Sequence, residues 1–566
     1  MNLKKRAMQL AAVLLSLAVL LPSVPAAFAS QSAAEGTAVV FSESGITAAD
    51  ESGLSIDGTT LTIEQAGTYV LSGTCSDGSV KVKKGVTGVT LVLSGLDLTS
   101  STTVPITCGK SSGVTILAAE GTENAVIKCK DGSQVTIGGT GTLTVTANGK
   151  NGIKSGATTD EEGTAWLVIE DLTLTINAPV NDAVNAEASL TVKSGTITID
   201  AGDDALHADY ALAIGESGTA GPTITINSCY EGLAGANLLV ASGAITIYSE
   251  DDCLNAANSD LTGYDFTMDI TGGTIWAYAA SDDGLDSNGS LTISGGTLTV
   301  WTANTADNQA LDADGTITVS GGTVFAAGGS AGMGMTLSAS QPYVTFGTQA
   351  SQPGQGGRQA PGGNAPSGQQ DGSTPPSMPD GQSGSQPQQP GGAQTTGTQR
   401  TPPEKPQGST DGSSAPEPPT GGGQPGQDAQ QGTSGAPDGQ GGQGGMAQPG
   451  GVSSLGIQSG SAVTAQDADG NTLFDGEAPC AVSTVFFSSP DLTDGETATL
   501  TSDGESVATA TASTDGSGTS QTITPAAQAA AAASSQKRLV LGLVTAAGVA
   551  AVVGAAIAVK KSKKKD

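Results

Sequence analysis

One unit recurs along this chain. In "SDDGLDSNGSLTISGGTLTV" (Ser281 to Val300) an aspartate pair precedes a strict alternation of apolar and small polar residues. Near copies begin at "GDDALHADYALAI" (Gly202) and "EDDCLNAANSDL" (Glu250). The second residue of the acidic motif falls at Asn151, Asp182, Asp204, Glu231, Asp252, Asp283 and Gln309, in steps of 31, 22, 27, 21, 31 and 26 residues. The shortest steps define a unit of about 22 residues, and the longer ones read as that unit plus a loop. Between Ile46 and Phe346 the segments "TLTI", "TLTV", "TITI", "AITI" and "TIWAY" are short, β-branched, of period two, and bounded by Gly, Asn or Asp. No amphipathic helix interrupts them, which removes βαβ folds.

A helix-free unit this short cannot bury a face alone. It can do so by coiling, each turn stacked on the last at about 4.8 Å. The expected fold is all-β, a parallel β-helix with rungs of about 22 residues, over 30–350. Leu, Ile, Val and Ala point inward, Thr, Ser and Asp outward, and Asn and Gly take the corners. A β-sandwich is the rival, but its strands would not carry a repeated acidic corner. Cys108 in "ITCGKSSGVTI" and Cys129 in "IKCKDGSQVTI" lie in the same local register one rung apart. They should stack inside, either as a disulfide or as a reduced apolar ladder.

Both ends read as targeting signals. Lys4, Lys5 and Arg6 precede an apolar run and the "AFA" at Ala27–Ala29, a secretory signal peptide over 1–29. Residues 539–559 are uncharged and would span about 32 Å as a helix, enough for a bilayer core. The basic tail 560–566 should remain cytoplasmic. The expectation is a single-pass protein of the cell membrane with its mass outside. Residues 351–451, rich in Gly, Pro, Gln and Ser, read as a disordered insert. Alternation returns over 452–507, read as a C-terminal β cap, and 508–538 as a flexible Ala/Ser/Thr stalk before the transmembrane helix. Residues 30–536 hold 12 basic and 53 acidic residues, a net charge of −41, which disfavours nucleic acid and attracts cations.

Stacked carboxylates need such cations. Two of them 4.8 Å apart repel by roughly 3.5 kcal/mol at an effective dielectric of 20. A column of Asp182, Asp203, Asp204, Asp251, Asp252, Asp282 and Asp283 therefore points to Ca²⁺, which takes six to eight oxygens in irregular geometry. The alternative is that Asp simply favours turns and faces water. Catalysis is not expected: the pair recurs instead of occurring once, and from Asn181 to Ala350 the only basic side chains are Lys193 and His207. Both read as solvated surface residues. A second column follows from aligning "AITIY", "TIWAY" and "TLTVW". Tyr248, Tyr278 and Trp301 fall four residues after their strand starts, Trp276 and Phe325 two, and all five should point outward beside the acidic corner. Stacked exposed aromatics suit the CH faces of sugar rings, and the alternative is that a loop packs over them.

The ordered series "AGTYVLSGTCSDGSVKV", "VTLVLSGLDLTS", "AEGTENAVI", "GTGTLTVTANGKNGIKS" and then D-D-x-L rungs resembles a bacterial cell-surface carbohydrate-binding family. The likeness runs from about Phe41 to Phe346 and, more loosely, from Ser453 to Gly504. It implies a right-handed parallel β-helix, similar in architecture to pectate lyases, that binds calcium and plant polysaccharides such as cellulose and polygalacturonate without cutting them. Glu231 and the "DNQAL" at Asp307–Leu311 depart from the pattern, so calcium sites are expected to be lost there. The alternatives are a structural or adhesive surface protein with purely structural calcium, and a weak pectate lyase.

Overall fold

The computed structural model describes residues 36–119, 121–123, 125–158, 165–303, 308–329, 336–347, 455–518 and 520–522. The expected signal peptide, the 351–451 insert, the transmembrane helix and the basic tail lie outside these residues. Among the described residues there is no helix, and hence none long and apolar enough to cross a membrane. The chain divides into two units, and every described residue lies in the unit formed by 1–355 and 450–566.

Among the described residues thirty-one strands join one sheet that is parallel over most of its length. Each rung contributes three strands, and each pairs with its counterpart in the next rung. One face runs through Gly113–Ala118, Gln134–Gly139, Trp166–Ile169 and Ser189–Val192. The second runs through Thr142–Thr146, Thr173–Ala178, Thr196–Ala201, Thr223–Ser228, Ala244–Ser249 and Thr274–Ala279. The third runs through Ser79–Val82, Ile106–Cys108, Ile127–Cys129, Ile153–Ser155 and Val184–Ala186, and on to Leu254–Ala256 and Leu285–Ser287. This is a β-helix-like coil of parallel ladders.

Period-two patterning sets the inside. On the second face Leu174, Ile197, Ile224, Ile245 and Ile275 stack in register, and Ile176, Ile199, Ile226 and Ile247 form the next row. All are buried in a continuous core. Each such side chain contributes roughly 1.5–3 kcal/mol by leaving water. A one-residue slip would turn every one of them outward, so the register is strongly fixed. Cys108 and Cys129 are in-register neighbours, both buried, and both are free thiols. Close stacking also sets the corners. Gly195 has φ +102°, and a Cβ there would lie 2.6 Å from the Leu172 carbonyl oxygen.

At the C-terminal end the parallel rule stops. Thr484–Ser488 pairs antiparallel with both Thr316–Gly328 and Tyr343–Gly347. A separate five-stranded antiparallel sheet is built from Ala462–Gln466, Thr472–Glu477, Thr497–Ser502, Glu505–Thr511 and Ser520–Thr522. Residues 508–511 and 520–522, expected in the stalk, are therefore strands. The alternation in "SVATAT" supplies one buried row that pairs and packs, which the small size of Ala and Thr hid in the sequence.

Candidate functional site

The acidic corner lies where the chain leaves the second face and enters the third. The third-face strands are anchored by inward, fully buried Leu206, Leu233, Leu254 and Leu285. The residue two before each anchor and the residue one after it flank the anchor on the outside. The first position gives a column of Asn151, Asp182, Asp204, Glu231, Asp252, Asp283 and Gln309. The second gives Lys154, Asn185, His207, Ala234, Asn255, Asp286 and Asp312. The expectation that all the aspartates point outward is corrected here. Asp182, Asp252 and Asp283 are buried, whereas Asp203 and Asp282 are exposed and Asp204 and Asp251 half-buried. The turn ahead of the anchor folds Asp252 and Asp283 against the backbone N–H groups of Asp283 and Gln309 in the next rung.

Along the coil the column changes character. In the N-terminal rungs amides and a histidine neutralise it. Asp182 Oδ2 accepts from Asn151 Nδ2 at 3.0 Å and Asn185 Nδ2 at 2.6 Å. His207 Nδ1 lies 2.7 Å from Asp204 Oδ2, and its Nε2 lies 3.3 Å from Asp209 Oδ1. Burial alone would lower the pKa of His207, but these carboxylates outweigh it and raise it to about 10. His207 is thus an imidazolium clamped in place, and not the solvated residue expected from sequence. In the later rungs the support thins. Asn255 Nδ2 donates to Glu231 Oε1 at 3.0 Å, the Asp283 N–H donates to Asp252 Oδ1 at 3.0 Å, and the Gln309 N–H donates to Asp283 Oδ1 at 2.5 Å.

There the carboxylates converge in two groups whose ligand atoms lie within 4.8 Å of one another: Glu231 with Asp251 and Asp252, and Asp283 with Asp286 and Asp312. Burial, then the neighbouring carboxylates, holds the protonated form. Asp252 is pushed up to about 8, Asp283 and Glu231 to about 7, and Asp286 to about 6. Asp182 is raised as well, by burial and then Asp204. The Asn255 Oδ1 is buried with no hydrogen-bond partner. Carboxylates that resist ionisation and an orphaned amide oxygen form an oxygen-only donor set, which fits a hard divalent cation.

Two of these groups were not expected. Asp286 and Asp312 occupy the position after the anchor, where the corresponding residues of other rungs are Lys, Asn, His or Ala. The signal was present in "DGLD" and "QALD". Glu231, expected to mark a lost site, instead joins Asp251 and Asp252. Its longer side chain reaches the shared point from the preceding rung. Asp182, Asp203, Asp204 and Asp282, all expected as ligands, fall outside both carboxylate groups.

The aromatic column also divides. Register places Tyr248, Tyr278 and Trp301 in one row and Trp276 and Phe325 in another. Tyr248 is 46% exposed, Trp276 and Tyr278 are half-buried, and the Tyr248 and Trp276 rings lie 4.9 Å apart at 47°. Trp301 and Phe325 are fully buried, which corrects the expectation of five exposed rings. They do point away from the coil, but the C-terminal sheet covers them. Phe474 stacks on Phe325 with centroids 3.7 Å apart, and Phe487 is its cross-strand partner. Tyr230, missed from sequence, is 44% exposed beside the corner. Its hydroxyl donates to Asp251, whose charge raises the phenol pKa.

Comparison with known proteins gives partial matches. Residues 57–332 match the family model described as "Carbohydrate-binding domain-containing protein". A protein of that same description from Acetivibrio thermocellus is 32% identical over 135 residues, which cover 20% of this chain and 46% of that protein. The chain thus matches about half the length of that curated relative. A solved structure titled as the polysaccharide lyase-like protein from C. thermocellum, a gadolinium derivative, covers 50% of this chain and 91% of its own at 22% identity and a TM-score of 0.26. A superposition that loose assigns no role to any residue here.

Proposed function

We propose that this chain is an exported, membrane-anchored carbohydrate-binding protein. Its second face holds an extended polysaccharide on Tyr248, Trp276 and Tyr278, and calcium occupies the adjoining acidic corner. The observation that carries this reading is the Tyr248–Trp276 ring pair, with Tyr248 exposed and Trp276 half-buried, on strands that lead into the two convergent carboxylate groups. The match of residues 57–332 to a carbohydrate-binding family supports it. The coil would be right-handed, and polygalacturonate or a cellulose-like glucan is the expected ligand. Glu231, Asp251 and Asp252 would hold one ion, and Asp283, Asp286 and Asp312 another. Bound Ca²⁺ would cancel the mutual repulsion and offer open positions to sugar hydroxyls or uronates. The signal peptide, the stalk beyond 522, the 539–559 helix and the extracellular placement belong to the same proposal.

Binding is favoured over cleavage. A lyase base must be neutral and within reach of the sugar. His207 is held protonated by Asp204 and Asp209. Lys154 is paired with Glu187 at 2.6 Å, and Lys193 lies 3.7 Å from both Glu170 and Glu216. A structural or adhesive role has one observation in its favour: the C-terminal sheet already covers Trp301 and Phe325, so part of the aromatic column serves packing.

The test is pull-down of the full-length chain, purified in mild detergent, with a panel of polysaccharides in Ca²⁺ and then in excess chelator. Tyr248→Ala with Trp276→Ala should remove the calcium-dependent binding while the protein stays folded. Calcium-dependent binding that survives the double substitution would refute the platform. No binding to any glycan, with a large loss of thermal stability on chelation, would leave the spacer role.

A further inference from the structure

The side of the coil opposite in charge to the acidic corner carries a second feature. Among the described residues the basic side chains are nine lysines and His207, and eight of the lysines lie between Lys81 and Lys154. The topology gathers three of them at one corner, where the third face turns into the first. The Gly85 N–H donates to the Lys110 carbonyl of the next rung, and the Lys130 N–H to the Cys108 carbonyl, so Lys84, Lys110 and Lys130 occupy successive rungs. All three are exposed. Lys110 makes a half-exposed pair with Asp131 at 3.4 Å, which is worth little in water. Among the described residues Lys84 and Lys130 have no ion pair.

A trough of about 210 Å³ opens a few residues beyond this corner, on the first face. Its wall is Trp166, and its floor carries the outward hydroxyls of Thr90, Thr115 and Thr136. Trp166 is in register with Gln134, and Gln134 with Gly113. Gly113 and, one rung earlier, Gly88 also line the hollow. One aromatic wall, a row of hydroxyls and, at the neighbouring corner, exposed lysines are the three contacts an acidic sugar needs. The ring face takes the CH groups, the threonines take hydroxyls, and the lysines take the carboxylate.

From this geometry we infer a second polysaccharide site, independent of calcium, that takes an anionic sugar polymer in the Trp166 trough with its carboxylates on Lys84, Lys110 and Lys130. It rests on the carbohydrate reading but uses a different face and the opposite charge. A polyanion repelled by the rest of an acidic chain would find here the described surface that attracts it. Two sites on different faces would also let one molecule bridge two chains of polymer.

The test uses the full-length chain in excess chelator at low salt, with polygalacturonate as probe and dextran sulfate and neutral hydroxyethylcellulose as comparisons. Polygalacturonate should bind, weaken as salt rises, and lose roughly three- to tenfold in affinity with Trp166→Ala. Binding should vanish when Lys84, Lys110 and Lys130 are all replaced by Glu, with an unchanged melting temperature showing that the fold persists. Tyr248→Ala with Trp276→Ala should leave this component intact. If dextran sulfate binds as tightly, or Trp166→Ala has no effect, the site is only a basic patch and the sugar assignment falls. If hydroxyethylcellulose binds as tightly, the role of the lysines falls. Calcium-dependent binding alone would overturn this inference and spare the proposed function, and no binding in either condition would sink both.

Discussion

The sharpest test of the acidic corner is Asp252→Asn, measured without metal. Asp252 is 7% exposed, and its carboxyl is pushed up to about 8 by burial first and then by Asp286, Asp282 and Asp251. In the unfolded chain an aspartate has a pKa near 3.9. The folded state therefore holds the proton more tightly, so this group stabilises the fold at acid pH and that contribution drains away as pH rises from about 4 to about 8. Asp283, Glu231 and Asp286 act in the same direction. At 1.36 kcal/mol per pH unit the full difference for Asp252 is on the order of 5 kcal/mol. Protons redistribute among coupled carboxylates, so about 2–3 kcal/mol should be recovered by the substitution at pH 8. Asparagine keeps an oxygen for the Asp283 N–H, so the corner hydrogen bond survives. In excess chelator the unsubstituted protein should melt lower at pH 8 than at pH 5. Asp252→Asn should narrow that gap by about 5 °C, a shift of about 2–4 °C per kcal/mol being usual for domains of 150–250 residues. Added Ca²⁺ should rescue the unsubstituted protein at pH 8 by about 2.7 kcal/mol at a hundred times its Kd, and the variant by less. Equal melting at pH 5 and pH 8 without metal, or no gain from the substitution, would refute the claim that the corner carries uncompensated buried charge.

Two further outcomes follow from the same geometry. Phe325→Ala should destabilise the C-terminal end by about 3–5 kcal/mol, because it removes a fully buried ring from between Trp301, Phe474 and Phe487, and chemical unfolding will measure it. An equal loss of stability from Tyr248→Ala would contradict the division of the aromatic column. Asp286→Asn should remove one of two calcium equivalents in calorimetric titration and leave the Glu231 group filled. Two equivalents retained at unchanged affinity would exclude Asp286 as a ligand.

The coil was legible because its physics is local and repeated. The rows Leu174–Ile197–Ile224–Ile245–Ile275 and Ile176–Ile199–Ile226–Ile247 write the same inward choice once per rung, and the glycine corners mark where each rung turns. The acidic corner was half legible. "DD" ahead of a strand identified Asp252 and Asp283, but nothing in a dipeptide says which carboxylate is folded inward. Asp286 and Asp312 were hidden because their partners lie 26 residues apart and only the stacking of rungs brings them together. Trp301 and Phe325 were misplaced for the complementary reason. Alternation gives the side of the strand a ring leaves from, and that was right, but the sheet that covers them begins more than a hundred residues later, after the insert.

A coil of this kind separates its tasks by direction. Inward positions need only volume and an apolar surface, so they constrain nothing outside. Each outward column is then free to take its own chemistry, and chemistry accumulates along the axis, one residue per rung. That is how one chain with a net charge of −32 can hold carboxylates at one corner of its later rungs and lysines at another corner of its earlier ones. Even within one column the opposite charges of Lys154 and Asp286 are separated by Asn185, His207, Ala234 and Asn255. Ligand positions in such a protein are separated by whole rungs in sequence. A search for catalytic or metal motifs of fixed short spacing will pass over them, whereas aligning the chain on its buried leucines brings each column into view.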